Sequence, residues 1–280
     1  MGNSVFRIIF IFSVILICII CLILGTYFLL DENSSIILGS QSNLITSEIE
    51  ENIPSYEELE AEFNNIFNNK IIGIESITNI PKNDDSRDLV YIKYEFQDNS
   101  ENYDLDVLVP TLNINTEIAK QINSEIDSTY ARPAAELLRK ETGFTTYNLA
   151  YQVYINNDIL SIIIKGNIKE DENPQKSIIK AYNYNLITNQ KVSLNELIEM
   201  KGLEKKDVQK KIEQKISASK ENAEALKEIG YQIYERNLND EMYKIENTEN
   251  YFLGKDSYLY IIYPYGNNNN NTSETDIVIF

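Results

Sequence analysis

With 280 residues, 43% of them apolar, and nineteen Tyr and ten Phe, the chain carries enough core material to exclude disorder throughout. Its 43 acids against 25 bases give a formal charge of −18, which disfavours nucleic acid and anionic membrane surfaces and leaves a basic protein, a cation or a neutral glycan as fitting partners. His and Trp are both absent, so Ser-His-Asp and Cys-His triads and His-containing zinc sites cannot be built, and only carboxylates, Lys, Tyr and Ser remain for chemistry.

From Ile8 to Leu30 the chain reads IIFIFSVILICIICLILGTYFLL, 23 residues without a charge. At about 1.5 Å per residue such a run spans a hydrocarbon core of about 30 Å, so residues 8–30 are expected to form a transmembrane helix. A cleaved signal peptide is the competing reading, but the run is longer than a signal core and no small-x-small site follows it. Cys18 and Cys21, the only cysteines, both lie inside the run, so no disulfide is expected beyond it. Ile17 and Ile20 stand where a lipoprotein needs a small residue, and Phe6 departs from the myristoylation pattern. Arg7 precedes the run, whereas residues 31–69 hold nine acids and no Lys or Arg. Residues 1–7 are therefore expected to be a cytoplasmic tail and the remainder to lie outside the cell. Without Arg7 that ectodomain has 24 bases against 43 acids, formally −19.

Residues 31–52, polar and without periodicity, read as a stalk. A helix begins behind Pro54, where Ser55 and Glu58 form an S-x-x-E capping box and Leu59, Phe63, Ile66 and Phe67 share one face. After 71–80, Val90, Ile92, Tyr94 and Phe96 alternate as a strand, and Leu105, Val107 and Val109 repeat the pattern up to Pro110. Ile114, Ile118, Ile122 and Ile126 form a helical stripe that Pro133 either breaks or restarts. From Thr146 the period returns to two: Tyr147 to Ile155, a turn at Asn156-Asn157-Asp158, then strands over 159–168 and 177–186. A short helix over Leu194–Met200 and a long one over 204–229 follow, the latter with Val208, Ile212, Ile216, Ala223 and Leu226 inward. Two more strands, 257–263 and 276–280, close the chain. Strand runs segregated from helices predict an α+β fold of antiparallel sheets with helices packed on one face.

LDVLVPTLNINTEIAKQIN at 105–123, YQVYINNDILSIIIKG at 151–166, YNYNLITNQKVSLNELI at 182–198 and YFLGKDSYLYIIYPYG with TDIVIF at the end carry a resemblance. Their order and wording resemble a bacterial extracytoplasmic tandem, a DUF4163-like region over 53–145 and a DUF3298-like region over 146–280. Asn189 replaces the Gly usual in the family's turn; Asn also adopts the left-handed conformation. The resemblance implies kinship with the sensor domain of a membrane anti-sigma factor that binds lysozyme and with domains appended to polysaccharide deacetylases. The short tail lacks a sigma-binding segment, and a deacetylase metal centre would need His, so only the binding module is carried over.

Tyr258, Tyr260, Tyr263 and Tyr265 cluster near the end, where flat amphipathic rings suit sugar or protein contact. Tyr263 and Tyr265, flanking Pro264, are the candidate binding residues, against the alternative that they are core or sheet aromatics. Asp98, Glu101, Asp104 and Asp106, and Asp84, Asp85 and Asp88, read as solvated charge, since no D-x-[DN]-x-[DN]-G loop is present. Neither a metal nor a cofactor is expected, and no catalytic residue stands out. The expected function is a membrane-anchored extracytoplasmic binding or sensing module for a cell-wall glycan or a basic protein such as lysozyme. A His-free cell-wall-active enzyme and a structural partner of another membrane protein are the alternatives.

Overall fold

In a computed structural model of the chain, the structure describes residues 54–67, 82–231, 233–266 and 273–280. The expected tail 1–7, transmembrane helix 8–30 and stalk 31–52, together with 71–80, lie outside the described residues. Among the described residues no helix is long and apolar enough to cross a membrane.

Helix α1 (Tyr56–Asn65) starts at the capping box read from sequence: Glu58 N donates to Ser55 Oγ at 3.2 Å and Ser55 N to Glu58 Oε2 at 2.7 Å. It buries Leu59 and Phe63. Strands β1 (Val90–Asn99) and β2 (Tyr103–Leu112) form an antiparallel hairpin. Pro110 does not end β2. Its missing N–H is tolerated because pairing with the next strand stops at Val107, and β1 shifts register between Ile92 and Tyr94 opposite it.

Helix α2 (Glu117–Ile126) is capped by Thr116, whose side chain accepts from Ala119 N at 3.2 Å. Asn123 on this helix clamps the end of β2, accepting from Leu112 N at 2.7 Å and donating to Leu112 O at 2.9 Å. That is the physical content of the strand, proline and Asn-containing helix in the 105–123 motif. Of the two readings of Pro133, the structure bears out the second: it stands in the first turn of a further helix. A π turn over Asp127–Ala131 leads into α3 (Arg132–Leu137), and the wider turn accommodates the ring and missing N–H of Pro133.

Strands β3 (Thr145–Asn156), β4 (Ile159–Glu170), β5 (Lys176–Asn185) and β6 (Gln190–Lys191) complete a six-stranded sheet in the order β1 to β6. Here the antiparallel expectation is corrected. Tyr103 to Val107 of β2 pair in parallel with Thr145 to Leu149 of β3, because the α2–α3 crossover returns the chain to the same end of the sheet. The regions 53–145 and 146–280 thus share one sheet, within a single compact unit, Ile53–Phe280. Helices α4 (Leu194–Met200) and α5 (Lys205–Glu228) precede a second, antiparallel sheet of β7 (Asn250–Leu253), β8 (Leu259–Pro264) and β9 (Thr275–Ile279).

Helices on one face only is also corrected. Tyr147, Leu149, Ile162 and Tyr182 of the large sheet pack with Ile122, Ile126 and Tyr130 of the α2–α3 segment. Ile163 and Ile179, on the opposite face, pack with Phe252, Tyr260, Ile262 and Ile277 of the small sheet and with Leu59 and Phe63 of α1. The small sheet's other face, Leu259, Ile261, Tyr263 and Val278, is covered by Leu197, Val208, Ile212 and Ile216 of α4 and α5. The central strand of the small sheet is buried on both faces, whereas the large sheet is covered by the α2–α3 segment on one face and by the small sheet and α1 over part of the other, leaving much of β1 exposed. The fold is α+β, with one mixed and one antiparallel sheet.

Candidate functional site

The two tyrosines singled out in the sequence do not reach the surface: Tyr263 is 2% exposed and Tyr265 is fully buried. Alternation along β8 turns Tyr263 towards α5, and its hydroxyl shares a 3.1 Å hydrogen bond with Thr248. Tyr265 Oη donates to Asp276 Oδ2 at 2.5 Å and lies 3.0 Å from Tyr243 Oη. Arg236 grips the same carboxylate, with Nε 3.0 Å from Oδ2 and Nη2 3.2 Å from Oδ1, and its Nη1 reaches Glu274 Oε2 at 2.8 Å. The Tyr234 ring stacks on Tyr265 with centroids 4.2 Å apart, and the Arg236 guanidinium lies 4.8 Å from the Tyr265 centroid.

This arrangement corrects the expectation of a contact surface. A buried phenol is costly only while its hydroxyl lacks a partner, and Asp276 supplies one. Burial first, and then the Asp276 charge, push the Tyr265 pKa well up, while burial alone dominates for Tyr263. Burial opposes the Arg236 cation, but its hydrogen bonds and the Asp276 charge outweigh that and raise its pKa. Tyr260 is likewise buried, facing α1, and Tyr258 is half-buried beside it. The acidic β1–β2 hairpin is a hydrogen-bonded surface turn, with Gln97 donating to Asp106 at 2.9 Å and Tyr103 to Asp98 at 3.0 Å. Among the described residues no group of three or more Cys, Asp or Glu is placed to hold a metal ion.

A different site appears where the large sheet ends. Strand β5 is ten residues long, but β6 covers only its Tyr184 and Asn185. Beyond them the edge borders a cavity of about 370 Å³, walled by Ile122 and Glu125 of α2, by β5 from Lys180 to Asn183, by Lys191 and Val192, and by Glu249 to Tyr251. Small-molecule sites run from about 300 to 1,000 Å³.

The walls are fixed by bonds that use up much of the β5 edge. Ala181 N donates to Asn250 Oδ1 at 3.3 Å, Val192 N to Asn183 O at 3.0 Å, and Asn183 Nδ2 to Tyr251 O at 2.7 Å. Tyr251 Oη donates to Val192 O at 3.1 Å. Lys180 Nζ pairs with Glu125 Oε1 at 2.9 Å. Tyr182 lies among them, 8% exposed. Burial first, and then the charge and hydrogen bonding of the neighbouring Glu125 carboxylate, raise its pKa, and the hydroxyl oxygen is shut off from solvent rather than open to the cavity. Sequence reasoning missed this cluster, whose members come from four separated segments without a common motif.

The chain is similar to two solved structures. One is a DUF3298-family protein from Bacteroides fragilis NCTC 9343, 15% identical, with 64% of this chain and 80% of that chain covered and a TM-score of 0.34. The other is a DUF3298-family protein from Pseudomonas aeruginosa PAO1, 11% identical, with 68% and 85% covered and a TM-score of 0.38. Both carry the family name that residues 146–280 resemble, and neither carries DUF4163. No protein-family model matches the chain, and no curated protein matches it.

Proposed function

We propose that this chain is a non-catalytic binding or sensing module at the cell surface, held by residues 8–30 with its N-terminus in the cytoplasm, and that the cavity at the β5 edge receives a wall-derived ligand. The observation that carries this reading is the cavity itself, about 370 Å³ beside a sheet edge that β6 leaves uncovered. Its walls are already tied to one another, so the cavity is formed in advance and little ordering opposes binding.

Calorimetric titration of the full chain in detergent with purified muropeptides tests the reading. Saturable binding that Lys191→Ala or Glu249→Ala, at exposed positions lining the cavity, weakens supports it, and binding indifferent to both substitutions removes the cavity from the proposal. Net release of new glycan ends by the same preparation would favour the His-free enzyme instead. A second reading, capture of a basic protein such as lysozyme, is favoured by the formal −18. It needs no cavity, and a pull-down with lysozyme tests it directly.

A further inference from the structure

Register across the large sheet places one polar residue from each of five strands in line. Gln97 of β1 stands opposite Asp106 of β2, Asp106 opposite Asn148 of β3, Asn148 opposite Asn167 of β4, and Asn167 opposite Ser177 of β5. Directly paired residues share a face, and alternation along β3 makes this the face opposite Tyr147 and Leu149, which pack on the α2–α3 segment. Neighbouring strands lie about 4.8 Å apart, so the row is about 19 Å long. Gln97, Asp106 and Asn148 are exposed, Asn167 is half-buried and Ser177 is buried. Gln97 Nε2 donates to Asp106 Oδ1 at 2.9 Å and Ser177 Oγ to Asn167 Oδ1 at 2.5 Å, so side-chain bonds orient both ends of the row, with the Asn148 amide between them. At the β1–β2 end, Gln97 and Asp106 also wall an open cleft of about 390 Å³ together with Asn99 and Asp104.

We infer that this face binds a neutral β-1,4-linked glycan laid across the strands, one sugar ring to each strand. A β-1,4 linkage keeps the chain extended, with a ring-to-ring advance close to the spacing between strands, so successive rings meet successive members of the row. The side chains suit such a ligand. Each amide or carboxylate offers two polar atoms in one plane, which match neighbouring hydroxyls or the N–H and carbonyl of an acetamido group. Asp106 is the single charge in the row, so a neutral chain answers it better than an ion would. An extended peptide would instead seek main-chain groups at a strand edge, whereas the row lies on a face. Because its members stand on strands of one sheet, the row is ordered before the ligand arrives and little conformational freedom is lost on binding. It shares no residue with the β5 cavity and does not rest on it.

The test is calorimetric titration of the full chain, in a detergent without a sugar headgroup, with the β-1,4-linked di-, tetra-, penta- and hexasaccharides of N-acetylglucosamine and with maltohexaose, whose α-1,4 linkages curl the chain out of register. Affinity is expected to rise about tenfold or more from the disaccharide to the tetrasaccharide, as two further rings each gain hydrogen bonds, and to level off at the pentasaccharide, where the row ends. Asn148→Val, a strand-compatible change at an exposed position, should weaken the tetrasaccharide about fivefold to tenfold. The length series uses the unsubstituted chain, so it decides even where that variant fails to fold. Equal affinity along the series, equal binding of maltohexaose, or no binding of any of these sugars overturns the inference. If Lys191→Ala weakens the glycan and a folded Asn148→Val does not, the glycan sits in the β5 cavity, and the inference falls while the proposed function stands.

Discussion

Arg236 and Asp276, forty residues apart in sequence, meet through two hydrogen bonds of 3.0 and 3.2 Å, and both side chains are 6% exposed. The pair ties the segment after α5 to the last strand, and Tyr265 completes it by donating to the same carboxylate at 2.5 Å. Removing one partner strands the other in a low-dielectric site. Asp276→Ala should therefore cost about 3–5 kcal/mol in denaturant unfolding, far more than deletion of an exposed acid. Replacing both ends together, Arg236→Met with Asp276→Leu, should recover most of that loss; if the double variant is as unstable as the single, the buried charge is not the cause.

Seven tyrosines share a second consequence of burial. Desolvation raises the pKa of Tyr130, Tyr147, Tyr182, Tyr263 and Tyr265, and it raises Tyr154 and Tyr243 to about 12. An unfolded Tyr ionises near pH 10, so these groups contribute their stability in full below about pH 10. That contribution is lost as pH rises from there through the folded values. Stability should fall steeply between about pH 10 and 12, with part of the phenolate absorbance appearing only as the chain unfolds. A titration in which all the phenols ionise near pH 10 while the fold persists would contradict the burial pattern.

Gly254 is required by space rather than by backbone angle. A Cβ built there would lie 2.6 Å from Cε2 of Tyr260, a ring atom stacked on Phe252 with centroids 4.8 Å apart. Tyr260 is 1% exposed and cannot swing aside. Gly254→Ala should destabilise by about 1–3 kcal/mol through overpacking, and Tyr260→Leu in the same chain should relieve part of it. Equal melting temperatures for the wild type and Gly254→Ala would refute the crowding.

Local signals carried much of this fold. The Ser55–Glu58 capping box, the Leu194–Met200 helix and the β3–β4 turn, with Asn157 at φ 52°, lie where spacing placed them, and Asn189 at φ 59° adopts the left-handed conformation expected of it. The parallel β2–β3 pairing left no local mark, because it depends on where the α2–α3 crossover delivers the chain. Period two gives the two sides of β8 but not whether both are covered. The near-continuous apolar run from Leu259 to Tyr265 was the available sign of a strand buried on both faces, and it argued against a tyrosine surface. The cavity was illegible for a different reason: its polar groups come from 122–125, 180–183, 191–192 and 249–251, and only the fold brings them together.

If lysozyme is the partner, long-range charge rather than Tyr263 and Tyr265 should govern the encounter. A formal −18 attracts a basic protein over distances set by the Debye length, about 8 Å at physiological salt, and opposite charge raises association rates more than it slows dissociation. Raising salt should therefore slow association markedly and leave dissociation nearly unchanged in surface-binding kinetics. Tyr265→Phe keeps the buried ring and removes only the hydroxyl bonded to Asp276, so it should lower the melting temperature without altering lysozyme affinity in the folded state. An association rate indifferent to salt would sink the electrostatic account. A folded Tyr265→Phe variant with weakened lysozyme binding would return the closing strands to the contact surface from which their burial removes them.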